Sequence, residues 1–206
     1  FDGVLDTTDF GAGTTDVGNT TALLDISRSV CPPGNTNEYN GYLDDLRIYN
    51  YARTPAQIIE DMNGGHPAPG SPVGSPIGYW KMDDGYGDAA NDSSPQNIDG
   101  DLSGGTACPS TTVCPTWKNT GKFDKSTYFG GLQTANGDSH IRLANDVYDA
   151  QTEGSISMWI KPDDAGDTNQ DLFGVGEDDN GASSDVMSIQ VNITNNTITY
   201  GANDNG

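Results

Sequence analysis

The stretch GYLDDLRIYNYARTPAQIIEDM, residues 41–62, reads as a strand, a short turn and one capped helix. From Tyr42 to Tyr49 the residues alternate with period two, as in a half-buried strand. Strict alternation puts Tyr42, Asp44, Leu46 and Ile48 on one face and Leu43, Asp45, Arg47 and Tyr49 on the other. Thr54 is placed as an N-cap, Pro55 as the first helical residue, and Gln57 completes a Thr-x-x-Gln capping box. Ile58, Ile59 and Met62 form a small apolar stripe, and Gly64-Gly65 end the helix. Asp44 is the odd member of its face. A carboxylate registered with Leu46 and Ile48 needs a cation or several donors, since burying it bare is too costly.

Composition narrows the class before any family is considered. The 206 residues suffice for one sandwich or two small domains, and a hydrophobic content of 33% among abundant Gly, Asp, Asn, Ser and Thr favours short strands over helices. A net charge of −21 argues against nucleic acid and anionic membrane as partners, since both would repel it. Only four of the thirty acids are Glu (Glu38, Glu60, Glu153 and Glu177), so the acidity is mostly Asp, which serves turns and hard-cation sites equally. No apolar run reaches membrane-spanning length. The first residue is Phe1, not Met, so the lack of a leader says nothing about export. Cys108 and Cys114 bracket a short loop that a disulfide can close, as in an oxidising compartment, and Cys31 is left over. His66 and His140 lie far apart and no Cys-x-x-Cys occurs, which argues against zinc.

The run Gly-x-Leu-Asp-Asp-Leu-Arg-Ile-Tyr-Asn, followed by a Pro-started helix, resembles the last strand and tail of a LamG-like jelly-roll domain. The resemblance implies an all-β, concanavalin A-like lectin/glucanase fold, a jelly-roll sandwich of two antiparallel sheets with one short helix. Other stretches are similar to the same family. FDGVLDT (1–7) resembles an Asp-Gly strand, IGYWKMDDG (77–85) the opening strand, and NDSSPQNIDGDLSGG (91–105) the loop after it. GKFDKSTYFGG (121–131) resembles a further strand, with Gly130 where the family has Asp, and GSISMWIKP (154–162) the family's central Trp strand. Strands are also read at Ala22–Ser27, at HIRLA (140–144), at DLFGVG (171–176) and within 186–202, where Asn195-Asn196 makes a hairpin turn.

The family order is unusual. Residues 1–62 correspond to the C-terminal part of a first LamG-like domain, 63–76 to a Gly/Pro linker, and 77–206 to the N-terminal part of a second, which implies neighbouring repeats in a parent chain. A fourteen-residue linker has a mean reach of roughly 20 Å and extends to about 45 Å. The two partial repeats can therefore assemble as one permuted sandwich, which avoids the open edges that separate halves would leave.

Three kinds of chemistry bear on these residues. In this superfamily a structural Ca²⁺ often sits where first and last strands meet; the matching positions are Asp44, Asp83 and Asp92, each of which also reads as a salt-bridge or turn residue. The acidic loops 163–171 and 176–185 lack EF-hand spacing and read as solvated. Sugars are held by aromatic faces, and Tyr86, Trp117 and Tyr148 fall in expected loops, where plain packing is the competing role. Trp80 shares a face with Met82 and reads as core, while Trp159 stands opposite Ile156, Met158 and Ile160. No paired-carboxylate strand or Gly-x-Ser-x-Gly elbow occurs, so no enzyme is read. The expectation is a non-catalytic carbohydrate- or protein-binding (adhesion) module, secreted or at the cell surface, whose partner is a glycan or an extracellular protein, without membrane insertion. The alternatives are a ligand-free spacer repeat and an accessory module of a polysaccharide-degrading enzyme.

Overall fold

The computed structural model describes residues 23–28, 38–63, 75–102, 114–130, 139–143, 147, 153–163, 169–176 and 185–202. In chain order the first elements are β1 (Leu23–Ile26), β2 (Asn40–Tyr49), α1 (Pro55–Asn63), β3 (Gly78–Trp80), β4 (Ala89–Ala90), β5 (Gly100–Asp101) and β6 (Thr116–Lys118). They are followed by β7 (Ser126–Gly130), β8 (Ile141–Leu143), β9 (Ser155–Pro162), β10 (Asn169–Gly176), β11 (Asp185–Asn192) and β12 (Thr197–Ala202). All the named strands pair antiparallel, in two sheets. Among the described residues the architecture is therefore all-β and sandwich-like, with one helix, and the predominance of strands is as the composition implies.

The larger sheet runs β12-β11-β10-β1-β8-β5-β4. The smaller is built around β2, which pairs with β9 over both of its halves, with β7 over Asn40–Leu43 and with β3 over Leu46–Ile48. Because β9 overlaps both other registers, it occupies one edge of β2 while β7 and β3 share the opposite edge; β6 lies beyond β7. The apolar residues of the two sheets meet in one cluster: Leu24 and Ile26 of β1 and Phe173 and Val175 of β10 pack with Leu43, Leu46, Ile48, Trp80 and Phe129. Strands from both sides of the 63–76 segment thus interleave in each sheet and share one core, although residues 64–74 lie outside the described set. Trp80 and Met82 are fully buried, as expected.

One residue overturns the strict alternation expected of β2. Asp44 pairs with Trp159 and Arg47 with Ser157, so Asp45 and Leu46 together stand opposite Met158 in a β-bulge. Asp45 adopts a left-handed conformation, φ 55°, which Asp tolerates better than most residues. The bulge reverses the parity of the strand. Leu43 joins Leu46 and Ile48 in the core, whereas Asp44 turns with Tyr42 to the outer face; the predicted Asp44–Leu46–Ile48 face does not form.

The helix cap forms as read: Thr54 N–H donates to Gln57 Oε1 at 2.9 Å, and Gln57 N–H to Thr54 Oγ1 at 3.4 Å. The expected apolar stripe is not how α1 docks. Ile58 and Ile59 are 41% and 47% exposed, and the buried helical residue is Asp61, drawn in by arginines. The β11–β12 hairpin is also wider than a two-residue turn, because Asn192 pairs with Thr197 and four residues form the connection, with Asn196 at φ 56°.

Candidate functional site

The bulge divides the outer face of the smaller sheet into two halves. On its C-terminal side, Arg47 reaches Asp45 at 2.6 Å and Asp61 of α1 at 3.1 Å, and lies 4.8 Å from the Tyr79 ring centroid. Arg53 pairs with Asp61 at 2.5 Å and covers the Tyr49 ring at 4.2 Å, while Tyr49 donates its hydroxyl to Asp61 at 3.1 Å. Burial pushes the Tyr49 hydroxyl up to about 12, with the Asp61 charge acting in the same direction. In this half the charges are matched, although Asp45 Oδ1 is buried without a hydrogen-bond partner.

On the N-terminal side the face is open. A cleft of about 300 Å³ is lined by Tyr42, Asp44, Ser126 and Trp159 of the sheet and by Lys122 and Lys161. Gly41 (φ 151°) precedes it where a Cβ would lie 2.6 Å from the Tyr39 hydroxyl and 2.5 Å from the Lys161 carbonyl oxygen; the Tyr39 hydroxyl donates to the Tyr42 carbonyl at 2.9 Å. Across the strands the ladder aligns Lys161, Tyr42, Tyr128 and Thr116 in one row, and sets Trp159 beside Asp44 in the next. Tyr42 and Tyr128 stack at 4.9 Å. Each of three lysines lies against a ring: Lys122 at 4.2 Å from Trp159, Lys118 at 4.9 Å from Tyr128 and Lys161 at 5.2 Å from Tyr42.

Loop 119–125 forms one wall of the cleft. Gly121 N–H donates to the Asp124 carbonyl at 3.1 Å, Asp124 sits at φ 51°, and Ser126 Oγ donates to the Thr120 carbonyl at 2.7 Å. A Cβ on Gly121 would fall 1.8 Å from the Lys125 carbonyl oxygen, so the turn demands glycine. The loop presents the Phe123 N–H to Asp44 Oδ2 at 2.8 Å.

Asp44 is only 3% exposed, and its Oδ1 is buried without a hydrogen-bond partner. Burial raises its pKa to about 6. The Phe123 and Lys122 amides oppose this, only the former within hydrogen-bond geometry, and the Asp45 and Asp83 charges add to the rise. Asp83 leans on the same loop, its Oδ1 accepting the Lys125 N–H and its carbonyl the Lys125 ammonium, both at 2.9 Å. The fold thus brings Asp44 and Asp83 to one loop. Asp92 serves another loop and is fully engaged: Oδ1 accepts from the Tyr79 and Ser94 amides, and Oδ2 from Ser94 Oγ and the Ile98 amide.

Of the aromatics expected in loops, Trp117 and Tyr86 do not line the cleft. Trp117 packs against the core and donates its indole N–H to the Gly87 carbonyl at 3.0 Å; Tyr86 is 83% exposed; Tyr148 lies outside the described residues. Cys114 is disulfide-bonded, while Cys31 and Cys108 lie outside the described residues. Sequence reasoning missed Tyr42, Tyr128 and the three lysines as a group. The available signal was Trp159, standing against the apolar parity of its strand.

The donor chemistry at Asp44 suits a hard cation, because a buried and unpartnered carboxylate oxygen is what Ca²⁺ uses. Among the described residues no three His, Cys, Asp or Glu side chains cluster as metal ligands, so such an ion would draw further oxygens from backbone and water. Among the described residues, no helix is long and apolar enough to cross a membrane. Comparison with family models, curated proteins and solved structures gives no significant match.

Proposed function

We propose that this chain is a non-catalytic binding module of the LamG-like, concanavalin A-like jelly-roll type, belonging to a secreted or cell-surface multidomain protein. It holds a glycan or an extracellular protein in the Asp44–Trp159 cleft, with a structural Ca²⁺ drawing on Asp44 and Asp83. The observation that carries the reading is Asp44, a buried carboxylate with one oxygen unpartnered and no arginine beside it, lining an aromatic-walled cleft. Stability alone does not explain such a group, since an ionised oxygen left unsatisfied in the interior is destabilising. A ligand hydroxyl or a cation completes it. The absence of a paired-carboxylate strand motif from the sequence supports binding over glycoside hydrolysis.

The test has two parts. Thermal unfolding in calcium and in chelator is expected to show a higher melting temperature with calcium, because an ion bound only to the native state stabilises it by mass action. Asp44→Ala is expected to abolish that rise and to reduce retention on a glycan array. A calcium response that survives Asp44→Ala would move the ion elsewhere; no calcium response and no retention would leave a spacer repeat.

A further inference from the structure

The cations of this acidic chain are distributed unevenly. All four arginines pair with aspartates: Arg28 and Arg142 with Asp25, Arg47 with Asp45 and Asp61, and Arg53 with Asp61. Among the described residues none of the five lysines does, although the chain holds thirty acids against nine Lys and Arg. Lys125 donates to the Asp83 carbonyl, Lys81 lies against Tyr79, and Lys118, Lys122 and Lys161 gather on the cleft side of the face. Each of these three lies against an aromatic ring on the same sheet face. From β9 to β6 this array crosses three strand spacings, roughly 14 Å. An acidic protein that keeps a third of its cations on one open aromatic face, outside ion pairs, is richer in positive charge there than its net charge implies, with Asp44 at the cleft floor and Asp163 beside Tyr128 as neighbouring carboxylates.

Resting on the binding-module reading above, we infer that the outer face of the smaller sheet binds an acidic glycan, a chain bearing carboxylate or sulfate groups. Tyr42, Tyr128 and Trp159 give apolar surface for sugar rings, and Lys118, Lys122 and Lys161 meet the anionic substituents along the rim. Asp44 at the floor is the wrong partner for an anion and a good acceptor for a sugar hydroxyl, so the acidic groups of the ligand lie along the lysines. A neutral glycan would use the rings and leave the lysines idle. A nucleic acid offers phosphates to the same lysines, but a duplex carries about one charge per 1.7 Å and so meets stronger repulsion from a chain of net charge −21 than a glycan charged once per sugar.

The experiment compares binding of the whole chain, in chelator, to dextran, dextran sulfate and polygalacturonate by affinity electrophoresis and calorimetry. Dextran and its sulfate share a backbone, so charge alone separates them, and polygalacturonate separates carboxylate from sulfate recognition. At least about tenfold tighter binding to one acidic polymer than to dextran is expected, weakening as NaCl rises. Lys118→Gln and Lys161→Gln are each expected to weaken it roughly three- to tenfold with an unchanged melting temperature, while Arg28→Gln, which removes the same charge from the other sheet, leaves it unchanged. Equal binding to dextran and to both acidic polymers, insensitive to the lysine changes, would overturn the acidic class and leave the binding module standing. An equal loss in Arg28→Gln would reduce the effect to bulk charge and overturn it as well. Binding to no glycan at all would remove this inference together with glycan recognition in the cleft.

Discussion

Asp61 and Asp44 are both buried carboxylates on the outer face of one sheet, and they are treated in opposite ways. Asp61 receives Arg47, Arg53 and the Tyr49 hydroxyl, so its charge is matched and the helix that carries it is fastened to β2. Asp44, on the other side of the Asp45 bulge, receives one amide and keeps an oxygen free. Asp45 Oδ1 is likewise buried without a partner, so the halves differ in charge: the first matches its carboxylates with arginines, and the second leaves Asp44 without one. The difference teaches that one β-bulge can assign two halves of a strand to stability and to binding.

The largest effect is expected from breaking the charge-matched half. Asp61→Ala leaves Arg47 buried with Asp45 alone and removes the carboxylate from Arg53, and should cost about 3–5 kcal/mol in urea unfolding. A loss below about 1 kcal/mol would mean that the network does not hold α1. Gly121→Ala should cost about 1–3 kcal/mol, because its Cβ meets the Lys125 carbonyl and the turn must shift. That shift moves the Phe123 amide off Asp44, so Asp44 should titrate higher still, which carbon-detected NMR of its carboxyl can follow. At the small end, Lys161→Ala and Lys122→Ala remove only exposed cation–ring contacts and should change stability by less than about 1 kcal/mol. A larger loss would make these lysines part of the scaffold.

The parts legible in sequence are those fixed locally. Thr54, Pro55 and Gln57 specify the cap within four residues, and the Ile141–Leu143 face follows from period two. Asp45 was not legible. Nothing in LDDL distinguishes an Asp in the left-handed region from an Asp in a regular strand, yet that one choice transfers Leu43 to the core and Asp44 to the cleft. Asp44 stood out for the wrong reason, as a charge on a core face, when its burial comes from loop 119–125 and the neighbouring strands. The docking of α1 through Asp61 was hidden for a related cause, since its partners Arg47 and Arg53 precede it by eight residues or more and face it only once β2 has turned. The lysine–aromatic array draws on β2, β6, β7, β9 and a loop, so only the strand registers could reveal it.

The contrast between the two halves rests on Asp44 being a carboxylate kept at a cost. Its pKa in the fold, about 6, lies above the ordinary 3.8, so above pH 6 its charge destabilises the native state, and as pH falls toward 4 the folded chain takes up a proton that the unfolded chain does not. Denaturant unfolding of the wild type and Asp44→Asn, in chelator, from pH 4 to pH 8, isolates this group from the other acids. The variant is expected to be more stable at pH 8, by on the order of 2–3 kcal/mol, with the advantage shrinking through pH 6 and gone near pH 4. A difference that does not change with pH, or a wild type more stable than the variant at pH 8, would contradict a carboxylate held against its own stability and would place Asp44 with Asp61 among the residues that fasten the fold.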